Sequence, residues 1–110
     1  MNGWFAVSKS KTNDFYFVLK AGNGEVVLTS EMYATKDSAD AGIASVQGNS
    51  HEDSRYERAK GSDGKFRFNL KAANHQVIGT SQMYATEATR DAGIASVKDN
   101  GKSKTVKDNT

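Results

Sequence analysis

A block of sequence occurs twice in this 110-residue chain, and residues 17–49 return as residues 68–100 without an insertion or deletion. Between residues 15 and 50, 21 of the 36 pairs aligned in this way are identical. A gapless period of this length is typical of two copies of one supersecondary unit, each too small to bury a core alone. We therefore predict a single pseudo-twofold domain over residues 1–110, with repeat 1 at about 1–53 and repeat 2 at about 54–110.

Each repeat begins with a pattern of short strands. Phe15, Phe17 and Leu19 alternate with other residues, as Phe66, Phe68 and Leu70 do in the second copy. This period of two predicts strands with one apolar face. The dipeptide Asn23-Gly24 predicts a type I′ hairpin turn, in which both central residues have positive φ. The second copy has Asn74-His75 at the same place, and both residue types tolerate the left-handed region better than most.

A helix is predicted after the strands of each repeat. Thr35 and Thr86 are suited to cap the helix N-termini. Apolar residues follow at the spacing of one helix face, at Ala39, Ile43 and Val46, and at Ile94 and Val97. Gly42 and Gly93 lie inside these helices, where glycine costs about 1 kcal/mol relative to alanine. Its presence in both copies indicates a close approach of each helix to the sheet.

The strand that follows each helix decides how the repeats join. Residues 56–60 follow the first helix and are expected both to finish repeat 1 and to open repeat 2. Residues 104–108 occupy the corresponding place after the second helix. The predicted fold is α+β: two tandem β-β-β-α-β repeats form one antiparallel sheet of about eight strands. Both helices pack on one face of it, and the C-terminal strands are exchanged.

Composition narrows the classes of function. The chain has no cysteine, so disulfides and thiolate metal sites are excluded. Its net charge of +2 is milder than that of most domains specialised for nucleic acid. Residues 1–20 lack the apolar run of a signal peptide, and no stretch is suited to span a membrane. We expect a soluble, monomeric, cytoplasmic protein that is an internal pseudo-dimer and binds no cofactor.

Two groups of side chains are candidates for an interaction surface. The strand face opposite the apolar residues carries Lys20, Lys71, Arg67 and Tyr16, a mixed basic and aromatic set of a kind that can bind an anion, a nucleic-acid strand or an acidic partner. A solvated sheet face, which is common in antiparallel sheets, is the simpler explanation of these residues. Tyr33 and Tyr84 precede the helix caps and either pack back onto the helices or flank a groove between the repeats.

A catalytic site is not indicated. A serine nucleophile requires a base within hydrogen-bond reach, and the two histidines, His51 and His75, occupy no repeated position. The repeated serines are better explained by capping and local backbone hydrogen bonds. The carboxylates have no metal-ligand spacing, so no metal site is predicted.

The motifs LKAxN, YAT and GIASV each occur once per repeat, at residues 19–23, 33–35 and 42–46 and at the corresponding later positions. In these motifs the chain resembles the YegP-like family of small bacterial proteins of unknown function. The resemblance implies β-β-β-α-β units that join into one sheet with exchanged C-terminal strands, and it implies no catalytic residue.

We predict a small non-catalytic interaction or binding module. Two alternatives stay open: a weak nucleic-acid or anion binder that uses the open sheet face, and a small-ligand-binding protein or enzyme with a site between the two repeats.

Overall fold

The computed structural model of the protein describes residues 3–110. Within these residues the chain forms seven strands, two α-helices and a short 3-10 helix at Asp53–Arg55. The strands are β1 (Trp4–Lys9), β2 (Phe15–Lys20), β3 (Val26–Ser30), β4 (Tyr56–Lys60), β5 (Phe66–Lys71), β6 (Val77–Thr80) and β7 (Val106–Asp108). The helices are α1 (Lys36–Asn49) and α2 (Glu87–Asn100).

All of these strands belong to one sheet, in the order β4-β5-β6-β3-β2-β1-β7. The two repeats meet at its centre, where β3 pairs antiparallel with β6 and Thr29 lies opposite Thr80. The α+β class and the tandem repeat are therefore confirmed. Neither helix within residues 3–110 is long and apolar enough to cross a membrane.

The sheet differs from the expectation at its two ends. β7 crosses from the second repeat to the first and pairs with β1, but it runs parallel to β1. Within residues 3–110, β4 pairs with β5 and forms the opposite edge of the sheet. It therefore opens repeat 2 without finishing repeat 1, and seven strands replace the expected eight. Only β7 crosses to the other repeat among residues 3–110, whereas the expected exchange involved the C-terminal strand of each repeat.

The core lies between the sheet and the helices. Phe17, Leu19, Phe68 and Leu70 are fully buried on one face of β2 and β5, against Ile43 and Val46 of α1 and Ile94 and Val97 of α2. Each helix also packs across the repeat boundary: α1 contacts β5 and β6, and α2 contacts β2 and β3. The predicted caps are present, because Thr35 Oγ1 accepts from the Ser38 amide and Thr86 Oγ1 accepts from the Thr89 amide, each at 3.1 Å.

Candidate interaction surface

The sheet face that points away from the helices carries the basic residues of β2 and β5. Phe17 and Leu19 face the core, so strand alternation places Tyr16 and Lys20 on the open face. The same alternation places Arg67 and Lys71 there in β5. The structure thus puts four of the sequence-predicted residues on one surface, divided between the two repeats.

Lys71 is held by a carboxylate on this surface. Glu57 of β4 accepts hydrogen bonds from Lys71 Nζ at 2.8 Å and from Asn69 Nδ2 at 3.0 Å. The Lys71 hydrogen bond is the main cause that lowers the pKa of Glu57, and the Asn69 hydrogen bond adds to it. Asn69 in turn accepts from the Thr80 hydroxyl at 2.8 Å. The second repeat therefore presents an ion pair, fixed in a polar network.

Lys20 has different surroundings from Lys71. Its ammonium lies 6.0 Å from the ring centroid of Trp4, which is opposite it in the β1–β2 register. Lys107 of β7 approaches the same indole from the other neighbouring strand, with Nζ 4.3 Å from the ring centroid. Two ammonium groups close to a half-buried indole create a basic and aromatic cluster, which we call the Trp4 cluster (Trp4, Lys20, Lys107).

Trp4 and Lys107 were not among the site residues predicted from the sequence. Alternation against the core residues Phe5 and Val7 would have placed Trp4 on the open face. The position of Lys107 has no such local signal, because it depends on the pairing of β7 with β1 at the far end of the chain.

Tyr33 and Tyr84 lie on the helix side of the sheet. Each ring stacks on a core phenylalanine of its own repeat, Phe17 or Phe68, with centroids 6.3 Å apart and planes 10° apart. A Cβ at Gly42 would stand 2.5 Å from the Tyr33 hydroxyl, so the glycine makes room for the tyrosine. Burial raises the pKa of Tyr33, and the carboxylate of Glu31 raises it further. Both tyrosines thus pack against the helices.

A shallow groove of about 260 Å³ lies between the repeats, where the β2–β3 hairpin meets α2. Asn23 and Glu25 line one side of it, and Gln82, Tyr84 and Gly93 belong to the other. Among residues 3–110, Tyr84 lines this groove and Tyr33 does not. This groove therefore has one of the two tyrosines in its lining.

The repeated serines Ser30 and Ser81 form side-chain hydrogen bonds to the backbone. Ser30 Oγ accepts from the Phe17 amide at 2.8 Å and donates to the Glu31 carbonyl at 2.8 Å. Ser81 makes the equivalent pair with the Phe68 amide at 3.0 Å and the Gln82 carbonyl at 2.7 Å. Each serine thus bridges two strands. Across residues 3–110, no group of three His, Asp or Glu side chains is arranged to hold a metal ion.

Comparison with protein families gives a match in each repeat. The profile of the family described as "Domain of unknown function (DUF1508)" matches residues 10–57 and, separately, residues 62–108. The chain belongs to this family. Each DUF1508 match begins before the second strand of a repeat and includes residues of the strand that follows the helix, β4 or β7.

Full-length relatives have the same two-repeat length. The UPF0339 protein YegP of Escherichia coli (strain K12) is 66% identical over 110 residues, with 100% of both chains covered. A UPF0339 protein of Shewanella oneidensis is 58% identical over 110 residues, again with 100% of both covered.

Two solution NMR structures share the fold. That of yegP from E. coli, described as a protein of unknown function, has a TM-score of 0.95 at 66% identity and covers 100% of this chain and 95% of its own. That of the UPF0339 protein from S. oneidensis has a TM-score of 0.93 at 58% identity, with 98% and 92% covered. The names of these DUF1508 relatives state no activity, so function has to be argued from the surface itself.

Proposed function

We propose that the protein is a non-catalytic, cytoplasmic binding module whose open sheet face holds single-stranded nucleic acid. The observation that carries the proposal is the Trp4 cluster, in which a half-buried indole lies between two ammonium groups, at 6.0 Å and 4.3 Å from the ring centroid. Proteins that bind single strands combine this pair of features, because the aromatic ring stacks on a base while the cations neutralise neighbouring phosphates.

The cluster can exchange its internal contacts for contacts with a nucleic acid. Lys107 lies on a strand whose residues are all exposed, so its long side chain is free to leave the indole. The cation–π contact that it gives up is worth about 0.5–1 kcal/mol at an exposed site. A base stacked on the indole contributes about 1–3 kcal/mol, and the released ammonium can pair with a phosphate.

A non-catalytic role is supported by how the reactive groups are used. Ser30 and Ser81 each donate their hydroxyl proton to a neighbouring backbone carbonyl. His51 lies 3.3 Å from Glu52 on an exposed stretch, and His75 occupies the turn before β6. A serine nucleophile would require one of these histidines within hydrogen-bond reach.

The proposal is tested by fluorescence anisotropy of a short labelled oligothymidylate. Wild-type protein should bind it at low salt, and the affinity should fall with salt at a slope of about −0.7 per phosphate contact, or roughly −1.4 for two lysines. Trp4→Leu should weaken binding by about tenfold or more because the stacking platform is lost. Lys20→Gln should weaken binding and flatten the salt slope.

Lys65→Gln is the matched control, because it removes the same charge from an exposed turn between β4 and β5, at the other end of the sheet. It should bind as wild type does. No anisotropy change for wild type at low salt would refute the proposal. Equal binding of polyglutamate would also refute it, and would point to an acidic protein as the partner.

A further inference from the structure

The open face contains the equivalent strands of both repeats, but two equivalent positions on it carry different side chains. Lys20 and Lys71 are equivalent in the repeat, and both lie on this face. The position occupied by Ala6 in β1 is occupied by Glu57 in β4. The position of Trp4 is taken by Arg55, whose Nε donates to Asn49 Oδ1 at the end of α1, at 2.9 Å. The second repeat therefore lacks the aromatic platform of the first.

Glu57 also changes the charge of its half of the surface. Its carboxylate is 2.8 Å from Lys71 Nζ, so a phosphate that approached this ammonium would meet a negative charge at hydrogen-bond distance. In the first repeat, the buried side chain of Ala6 brings no charge beside Lys107, its partner in the β1–β7 register. Among residues 3–110, Lys20 and Lys107 thus contribute two positive charges with no carboxylate between them, whereas Glu57 offsets the charge of Lys71 and leaves Arg67 as the remaining cation of β5 on this face.

We infer that Glu57 is a specificity-determining residue that closes the second repeat to nucleic acid and confines binding to one site, at Trp4. This inference rests on the proposed function. It adds that the pseudo-twofold face binds asymmetrically, with one strand per molecule, and that the carboxylate at the Ala6-equivalent position reinforces the loss of the aromatic ring at the Trp4-equivalent position.

The test uses reciprocal substitutions and amide chemical-shift mapping with the same oligothymidylate. In the wild type, shifts should cluster in β1, the end of β2 and β7, and leave Asn69 and Lys71 unmoved. Glu57→Ala should raise the affinity roughly threefold or more, because the freed Lys71 adds a phosphate contact, and should bring new shifts to Asn69 and Lys71. Ala6→Glu should lower the affinity by about tenfold, because its carboxylate lies next to Lys107 and near Lys20.

Ala6→Gln introduces a neutral side chain of nearly the same size as that of Ala6→Glu. The Ala6→Gln variant should bind the oligothymidylate more tightly than the Ala6→Glu variant, and this difference in affinity separates the effect of charge from that of side-chain size. Thermal unfolding of both variants checks that they fold. If Ala6→Glu does not fold, Glu57→Ala decides the matter, since Glu57 is exposed and its removal leaves the core intact.

The failures of the two proposals are distinguishable. Absence of wild-type binding removes the proposed function. Wild-type binding with shifts of equal size at Lys20 and Lys71 would overturn the inference while the function stands. Unchanged affinity in Glu57→Ala would overturn it as well.

Discussion

Four turns of this protein each place one residue in the left-handed region of backbone space. The residues are Asn13, Gly24, Gly64 and His75, with φ of 66°, 86°, 82° and 70°. In each turn the amide of that residue bonds to the carbonyl three positions earlier. Glycine adopts this conformation freely and asparagine does so readily, whereas histidine, which tolerates the region better than most residues, still meets a steric penalty of up to about 1–2 kcal/mol at its Cβ. His75 is therefore the strained member of the set.

We predict that His75→Gly stabilises the protein. The substitution relieves the left-handed strain but loosens the unfolded chain, so the net gain should be about 0.5–1 kcal/mol. Chemical denaturation measures it. The reciprocal variant Gly24→His is the matched control, because it places the same side chain in the equivalent turn, and it should lose a similar amount. A destabilised His75→Gly would show that the imidazole makes a contact that outweighs the strain.

These turns also show how far local sequence signals reach. Asn23 was correctly placed in a hairpin turn, but the prediction of a type I′ turn with positive φ at both Asn23 and Gly24 is wrong. Ala21 bonds to Glu25 across the turn, so the loop is one residue longer than a type I′ turn allows. The Asn23 side chain instead accepts from the Glu25 amide at 3.0 Å. Loop length follows from the register of β2 and β3, which one sequence does not reveal.

At the scale of elements, the two edges of the sheet are protected in different ways. Val7, which faces the core in β1, is equivalent to Arg58 in β4. Arg58 forms ion pairs with Asp53 at 3.0 Å and Asp91 at 3.6 Å. A charged side chain at an edge discourages pairing with another strand, so β4 tolerates exposure. The apolar edge of β1 is instead covered by β7.

β7 is short and is held at several points. The Phe5 amide bonds to the Thr105 carbonyl at 2.9 Å, the Asn109 amide bonds to the Val7 carbonyl at 2.8 Å, and Lys36 of α1 lies 3.2 Å from Asp108. Hydrogen bonds from the Thr110 hydroxyl and amide, followed by Lys36, lower the pKa of Asp108 to about 2. The strand from the second repeat is thus anchored to two elements of the first.

We predict that deletion of residues 104–110 loosens the first repeat. Hydrogen exchange at Phe5 should accelerate because its amide loses its hydrogen bond to the Thr105 carbonyl. Protection of amides across β1 and β2 should also fall, because the deletion removes β7 and its ion pair with Lys36. The amides that link β4 and β5 are the internal control. They lie at the far end of the sheet and should change least. Unchanged protection in residues 4–28 would show that β7 contributes nothing to the first repeat.

The roles of β4 and β7 mark the limit of prediction from the repeat. Residues 56–57 and 107–108 are equivalent by position in the repeat, so the same role was expected of both strands. The structure assigns them different partners, because β4 leads directly into the β4–β5 hairpin whereas β7 ends the sheet on β1. Hairpins and helix caps follow from neighbouring residues, but strand partners far apart in sequence do not. The Trp4 cluster depends on such a pairing, so only its β1 and β2 members had a local signal.

For the whole molecule, the pseudo-twofold arrangement requires the repeats to differ where equivalent residues meet. A Cβ at Gly101 would lie 2.5 Å from the hydroxyl of Ser50, its own equivalent at the end of α1. A Cβ at Gly79 would lie 2.9 Å from Cγ of Leu28, which is again its equivalent. In both pairs one repeat supplies the side chain and the other supplies the space. Because of these complementary differences, we expect the two repeats to fold as one unit.

We predict that substitutions in either repeat shift one common unfolding transition. Gly93→Ala places a methyl group against Tyr84, and Gly42→Ala places one against Tyr33 and Phe17. Overpacking of this kind should cost each variant about 1–3 kcal/mol. Gly48→Ala is the matched control on α1, where nothing lies within 4 Å of the added carbon, and helix propensity should stabilise it by up to about 1 kcal/mol.

Two probes separate a shared transition from two independent ones. Fluorescence of Trp4, the one tryptophan in the sequence, follows β1 of the first repeat, and far-ultraviolet circular dichroism follows both helices. Because α2 packs on β2 and β3 while α1 packs on β5 and β6, Gly93→Ala should lower the denaturation midpoint equally by both probes. A wild-type fluorescence midpoint in Gly93→Ala, together with an earlier dichroism change, would mean that each repeat unfolds by itself and that the shared core contributes little to cooperativity.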